Sequence, residues 1–443
     1  DITTTIGKTY NIDPFITYIK GNNRHSIRTR YLKVFNDNST GNADAGQDNE
    51  SDTYYSDYQW QKNIKEYGLI ATLGTTNEIV SARSDLFNGN SNRINNSLYT
   101  QLDKKYERLN ISIGARYENF RLSSEKKYFM GGDSINRFSA GRPILRTGLN
   151  YQLAEATYIR GSWGQGYRFP SMAELFISTE IAEGIWVYPN AGLNPENGWS
   201  AEIGIKQGLK TGNWMGYLDI AGFLMQYDDM MEFTFGKWGI SEGEANFFGY
   251  GFKSINIGET QISGVELSIT GKGEINNEIT MSILAGYTYM QPITLTPNYI
   301  YAELEDPMYN VFGQDSITYL TYENSSSDAS ILKYRYKHIA KIDAELTYKK
   351  LSLGGSLRYN DFMKNIDAIF ADEIFAILVP GIIKARENGE NGDVIIDVRL
   401  GYQFNDITKF GFVVNNLLNR EYMTRPANMM PPRTFAIQLA LKI

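Results

Sequence analysis

The chain has 443 residues with 31 Tyr, 41 Gly and no Cys, and its formal net charge is -7. Without Cys there is neither a disulfide framework nor a thiolate metal site, and an acidic balance without basic tracts or interleaved aromatic and Arg residues argues against nucleic acid as a partner. The longest apolar stretch, IFAILVPGII at 374–383, is broken by Pro380 and Gly381 and is about half of the roughly 20 residues a membrane helix requires, so no helix of this sequence spans a bilayer.

From the N-terminus onward one unit repeats: a segment of alternating apolar and polar residues, a turn, then another such segment. Leu109, Ile111, Ile113, Ala115 and Tyr117 alternate with Asn110, Ser112, Gly114, Arg116 and Glu118. Ile342, Ala344, Leu346 and Tyr348 do so with Lys341, Asp343, Glu345 and Thr347, and Ile396, Val398, Leu400, Tyr402 and Phe404 with Asp397, Arg399, Gly401 and Gln403. A period of two puts each set on its own face of a strand. A membrane barrel and a soluble sandwich share that pattern, and the connections separate them. Tight joints near Asn22, Lys65, Glu107, Leu153, Thr211, Asn276, Lys350 and Asp406 alternate with long polar loops over 37–52, 82–94, 122–141, 169–196, 233–247, 291–330, 364–391 and 418–430. Short turns on one rim and long loops on the other are the pattern of an outer-membrane barrel.

The pattern predicts an all-β fold, a transmembrane antiparallel β-barrel of about seventeen strands whose domain fills 1–443. Seventeen is odd, and a free edge in lipid costs several kcal/mol for each unpaired backbone group. About five further strands of a barrel of about 22, with whatever precedes them, are therefore expected on sequence not included or on a second chain. A secretory leader is expected to be removed or to lie there too.

Four blocks carry a resemblance. GQGYRFPSMAELF at 164–176 leads into a long loop, and YPNAGLNPENGWSAEIGIKQG at 188–208 leads back. SINIGETQISGVEL follows at 254–267, and VVNNLLNREYMTRPANMMPPRTFAIQLALKI closes the chain at 413–443. Together they resemble the signature of TonB-dependent outer-membrane transporters, in wording closest to the iron-complex, siderophore-type receptors of Bacteroidota. The first two blocks match the family through Tyr167, Arg168, Phe169, Pro170, Ser171, Glu174, Leu175, Leu193, Pro195, Glu196 and Glu202. The last two match through Asn256, Gly258, Gly264, Val265, Glu266, Asn415, Asn416, Leu417, Asn419, Tyr422, Pro432, Arg433 and Phe435. The chain departs from the family by ending in Ile443 instead of an aromatic residue. The family's plug domain and TonB box are absent from this sequence.

The motif residues are expected to be framework first, with Pro and Gly shaping turns and Arg168, Glu174, Glu196, Glu202 and Glu266 paired on the wall. Inward-facing Arg116, Arg160, Arg358 and Arg399 have a second use, gripping plug carboxylates bidentately. Substrate contacts are expected from Trp186, Tyr188, Trp238, Phe248, Tyr299, Tyr301 and Tyr309, flat rings with a polar edge in the loops and upper lumen. The alternative for these rings is an aromatic girdle or packing between loops. The apolar run at 374–383 falls in a loop and suggests a lid or a partner such as a surface lipoprotein, against plain packing on its neighbours. Asp37, Asp44, Asp48, Glu50 and Asp52 read as a solvated acidic loop, since their spacing fits no calcium loop. No metal site and no cofactor is expected.

An outer-membrane enzyme is disfavoured, because His25 and His338 are the only two His and neither Cys nor a G-x-S-x-G element is present. A passive porin is opposed by the receptor blocks. The resemblance implies a chain set in the outer-membrane lipid of a Gram-negative cell, with capture in the loops, transmission to the plug, a pull by the TonB complex and release to the periplasm. The loop between Pro170 and Pro195 holds no His for haem iron, so a ferric siderophore leads as the small-molecule substrate. Cobalamin follows, then carbohydrate or peptide.

Overall fold

Alternation with a period of two commits the backbone to extended ladders, and the computed structural model forms them along most of the chain. It describes residues 3–40, 43–44, 48–87, 89–130, 133–182, 185–238, 250–305, 316–320, 324–371, 381–425 and 428–442. The main sheet has 19 strands, of which two are halves of the first wall strand and one is the two-residue extension Ala43–Asp44, leaving seventeen wall strands. The first is split at Asp13 and Pro14 into Thr3–Ile12 and Phe15–Lys20. Then follow Asn23–Thr40, Asn49–Ile64, Leu69–Ser84, Gly89–Lys105, Leu109–Met130, Asp133–Ala154, Thr157–Arg168 and Glu196–Thr211. The wall continues with Trp214–Asp228, Thr260–Glu274, Ile279–Thr294, His338–Tyr348, Leu351–Asn360, Asp393–Gln403, Thr408–Asn415 and Thr434–Leu441.

Every wall strand pairs antiparallel with the next. The tight joints fall where the sequence puts them. Gly21 and Gly68 take φ of 55° at two of these turns, and at Gly68 a Cβ would fall 2.8 Å from the Lys105 carbonyl oxygen, so a side chain is excluded twice over.

Three predicted loops are shorter than expected. Within 37–52, 82–94 and 122–141 the flanking strands run on to Thr40, Ser84 and Met130 and resume at Asn49, Gly89 and Asp133, so these hairpins project as sheet beyond the apolar zone. The ladder needs only backbone groups, and polar cross-strand pairs such as Asn36 Nδ2 to Asn49 Oδ1 (2.9 Å) and Ser81 Oγ to Asn92 Oδ1 (2.8 Å) sustain it. Loss of apolar alternation marks where a strand leaves lipid, not where it ends.

The outward face is apolar and bare. Ile113 is 57% exposed, Ile203 68% and Ile437 73%, with Leu145, Val265, Ile342, Leu353 and Leu400 also exposed. In water so continuous an apolar surface would aggregate; against hydrocarbon it is the buried side of the fold. Among the described residues no helix is long and apolar enough to cross a membrane. The inward face is charged, and the apolar clusters lie in the long connections on one rim and on the strand ends beside them. Those connections fold into a canopy whose four-stranded sheet is built from Thr179–Ala182, Ile185–Tyr188, Tyr250–Asn256 and Met231–Lys237.

Candidate functional site

The first canopy cluster grows from the 164–176 block. Phe169 stacks on Phe120 with centroids 4.4 Å apart, while Leu175, Phe176 and Leu193 are sealed beneath it. Ser171 caps the short helix Met172–Phe176: its Oγ accepts from Glu174 N (3.2 Å), and Ser171 N donates to Glu174 Oε2 (2.8 Å). Arg168 ties both ends of the loop, donating through Nε to Glu196 (2.7 Å) and through Nη1 to both Glu174 oxygens (2.6 and 2.8 Å). Glu196 also accepts from Met231 N (2.6 Å). Burial pushes the Glu174 carboxyl up, but the Ser171 amide and Arg168 outweigh it and hold the carboxyl below its ordinary value.

Two further clusters belong to the canopy. Phe235, Met363, Ile366, Phe370 and Ile382 form one; Trp238, Ile255, Ile257 and Leu332 form the other. Between them lies a knot that local sequence patterns do not reveal. Asp367, 0% exposed, accepts through Oδ1 from Lys333 Nζ (2.8 Å), Thr234 Oγ1 (2.9 Å) and Asn324 Nδ2 (3.2 Å). Its Oδ2 accepts from Tyr334 OH (2.7 Å) and Phe235 N (3.2 Å). Three loop segments are thereby tied to one carboxylate. Nearby, Glu232 Oε1 is buried without a hydrogen-bond partner, and burial raises its carboxyl above the ordinary value, against the pull of Lys333 and Arg335. Burial pushes Lys253 down to about 8, with its ammonium 5.4 Å from the Trp238 ring centre.

Ion pairs line the inner wall. Arg160 donates to Glu202 (2.8 Å) and Asp219 (2.6 Å), Arg399 to Asp343 (2.7 Å) and Glu345 (3.1 Å), Arg358 to Asp397 (3.0 Å), and Arg116 to Glu118 (3.2 Å). The four arginines expected inside therefore already hold carboxylates of the wall. Beneath the canopy, Arg93, Arg116, Arg146, Glu78, Glu118 and Tyr99 border a half-open cavity of about 740 Å³.

Of the seven expected substrate aromatics, five fall among the described residues and take different places. Trp238 is only 4% exposed and belongs to the canopy core, with Tyr188 and Tyr301 half-buried against it. Trp186 sits in the canopy sheet, half-buried, opposite Gly251. Tyr299 is 38% exposed over Gly258, whose φ of 85° and lack of Cβ admit the ring. Phe248 and Tyr309 lie outside the described residues, as does the apolar run up to residue 380. The rest of that run enters the helix Ile382–Asn388, where Ile382 is buried.

The remaining motif residues do structural work. Asn256 accepts from Asn194 N (2.9 Å) and donates to Asp229 O (2.7 Å), pinning two loops together. A Cβ on Gly264 would fall 2.1 Å from Tyr289 O. Tyr167 packs 4.7 Å from Phe169, Pro170 is fully buried, and Glu266 is exposed on the inner face. In the last loop Asn415 reaches Thr434 (3.2 Å), Asn416 adopts φ of 50° and donates from its backbone to Asp397 (2.7 Å), and Arg433 donates to Leu417 O (3.2 Å) beside outward-facing Phe435. Of the acidic residues in 37–52, Asp48 caps Asn38 N (2.8 Å), while Glu50 and Asp52 pair with Lys33. Among the described residues no group of three His, Asp or Glu is placed to hold a metal ion.

A family model described as TonB dependent receptor-like, beta-barrel matches residues 2–417. Among solved structures the chain is similar to a double mutant of the Serratia marcescens hemophore receptor HasR in complex with HasA and heme, at 15% identity and a TM-score of 0.67, covering 99% of this chain and 66% of that one. It is also similar to the ferric-catecholate import receptor Fiu from E. coli K12, at 15% identity and a TM-score of 0.63, covering 99% and 64%. The siderophore receptor PiuA from Acinetobacter baumannii matches at 14% identity with a TM-score of 0.63, covering 99% and 64%. The chain thus spans somewhat less than two thirds of the length of these structures, and identities this low carry the fold alone. No curated protein sequence matches.

Proposed function

Because the chain belongs to the TonB-dependent receptor-like β-barrel family, we propose that it forms the wall and canopy of an outer-membrane transporter of a Gram-negative cell, which captures a ferric siderophore and passes it to the periplasm with energy delivered by TonB. The observation that carries this is a seventeen-strand wall, apolar outside and ion-paired inside, roofed on one rim by folded loops. A plug carrying the TonB box and about five further strands complete the transporter.

The sheet edges support that completion. Thr29 N donates to Pro14 O, so even-numbered groups of the first strand face its neighbour and odd-numbered ones, Thr3 to Ile19, face the free side. Pro14, which lacks an N–H, falls on the paired side, leaving the free side a full row of donors. At the other end Lys442 N donates to Ile407 O, so Phe435, Ile437, Leu439 and Leu441 turn their backbone groups to the unpaired edge of the sheet. Each such group costs several kcal/mol in hydrocarbon, which favours further strands at both edges.

For substrate class, His25 and His338 are informative. Each sits on the outward face bonded to a tyrosine, His25 to Tyr58 (2.9 Å) and His338 to Tyr287 (2.7 Å). This chain therefore offers haem iron no inward-facing imidazole, whereas a pre-formed iron chelate needs none. The test is growth of a deletion strain on single iron sources, combined with binding of ferric catecholates, ferric hydroxamates, haem and cobalamin to the full-length receptor. TonB-dependent loss of growth on one ferric chelate is expected. TonB-independent passage of small solutes would establish a porin instead, and selective binding of cobalamin would move the substrate.

A further inference from the structure

The last long connection brings methionines to one cleft. Met423 and Met429 face each other across an isolated antiparallel bridge, and Met430 N donates to Tyr422 O (3.0 Å) beside them. Facing residues of such a pair send their side chains to the same side, with Cβ atoms roughly 4.5–5.5 Å apart. Met363, 8% exposed, comes from the segment that carries Asp367 and borders the same cleft, of about 70 Å³. The bridge is fixed from both flanks: Tyr336 OH donates to Thr424 O (3.0 Å), and Asn416 Nδ2 donates to Arg420 O (2.9 Å) and Pro431 O (3.3 Å). Sulfur use separates these three methionines from their neighbours. Met225 Sδ accepts from Tyr227 OH (3.5 Å), Met230 Sδ from Thr260 Oγ1 (3.3 Å) and Met430 Sδ from Thr424 Oγ1 (3.6 Å). Among the described residues no donor reaches the sulfur of Met363, Met423 or Met429. Met429 is also 56% exposed, so filling a core does not account for it.

We propose that Met363, Met423 and Met429 bind copper(I), a soft monovalent cation, through their thioethers. Thioether sulfur selects copper(I) over the harder ions that carboxylates and carbonyls take. The surrounding charge fits a monovalent ion. Asp361, Asp393 and Glu421 border the cleft against Arg386 and Arg425. Asp393 is already paired with Arg420 (3.0 Å), and Arg386 lies over the Phe362 ring, 4.6 Å from its centre. With charge near balance and neutral ligands, little offsets the desolvation of a divalent ion, whereas a monovalent one loses less on leaving water. The ion joins the bridge of Met423 and Met429 to the segment holding Asp367, so its binding tightens that side of the canopy. The site rests on the placement of sulfur and not on the cargo proposed above.

The test uses silver(I), a redox-inert stand-in for copper(I), with the full-length receptor in mild detergent and chloride-free buffer: equilibrium dialysis, then metal analysis by mass spectrometry. The wild type should hold one silver ion more per receptor than M423L/M429L, and copper(I) kept reduced with ascorbate should displace it. M363L should lose the same ion, while M430L, whose sulfur is engaged by Thr424, should keep it. Leucine conserves the volume of methionine, and heat-modifiable mobility reports that each variant is folded. Adding silver should slow hydrogen exchange at 361–371 in the wild type and not in M423L/M429L. Equal silver in the wild type and M423L/M429L, equal loss in M430L, or displacement by zinc(II) would overturn the assignment. TonB-dependent growth reads the transporter proposal separately, so either reading can fail while the other stands.

Discussion

Replacing Asp367 by Ala isolates what the buried knot contributes to the canopy. Asp367 and Lys333 have side chains 0% and 5% exposed, and the carboxylate also accepts from Tyr334, Thr234 and the Phe235 amide. Removing one partner of a buried pair costs about 3–5 kcal/mol, because the other charge stays desolvated. The lower end is expected here, since Glu232, with a free Oε1, lies close enough to take part of the Lys333 charge. A loss of about 3 kcal/mol is a factor of more than a hundred in the opening equilibrium. Hydrogen exchange on the full-length receptor would show it: 231–237, 324–337 and 361–371 should exchange at least a hundredfold faster, with Thr260–Glu274 of the wall unchanged. The Asp367→Leu, Lys333→Met double variant should recover much of the protection, because an apolar pair of that volume carries no stranded charge. Wall and canopy losing protection together, or the double variant doing worse than the single one, would refute the knot as a local tie.

Lys253 titrates near 8 in the folded canopy against an ordinary 10.5, so between those values the unfolded segment binds a proton that the folded one has released. Canopy stability should therefore rise with pH across that window, by at most about 3 kcal/mol, and protection factors corrected for intrinsic exchange should lose this rise in Lys253→Met. Glu232 works in the opposite sense: its raised carboxyl makes stability fall as pH climbs above the ordinary 4.5, and Glu232→Gln should flatten that fall. A valine at Gly264 has no room against Tyr289 O, so folded receptor should be nearly lost on a heat-modifiability gel, whereas valine at exposed Gly166 should be tolerated. Arginine at outward Ile437 should cost about 2–4 kcal/mol in the lipid-embedded wall, read as refolding yield into bilayers, while arginine at inward Gln438 should fold almost as the wild type does.

The strands, their faces and their number were legible in the sequence, because a strand in a membrane wall needs one apolar and one wet face and writes both into neighbouring residues. The tight turns were equally legible, since Gly and Asn at the joints meet a local backbone requirement. Strand length was not: once a hairpin leaves lipid nothing enforces alternation, so the strand ends within 37–52, 82–94 and 122–141 look like loop while their backbone continues the ladder. The motif blocks pointed to a family, but what Arg168, Glu174 and Glu196 do together required tertiary structure, since the third lies 28 residues from the first and meets it only because two strand ends are neighbours. Asp367 and Thr234, separated by 133 residues, leave no mark on local sequence at all. The aromatic residues divide in the same way. Sequence shows that Trp238 and Tyr299 are flat and amphipathic; only packing decides that the first is sealed into the canopy core and the second lies open over Gly258. Periodicity is a local property and reports which face a residue takes, whereas a canopy is assembled from segments far apart in the chain, and its contacts exist only in three dimensions.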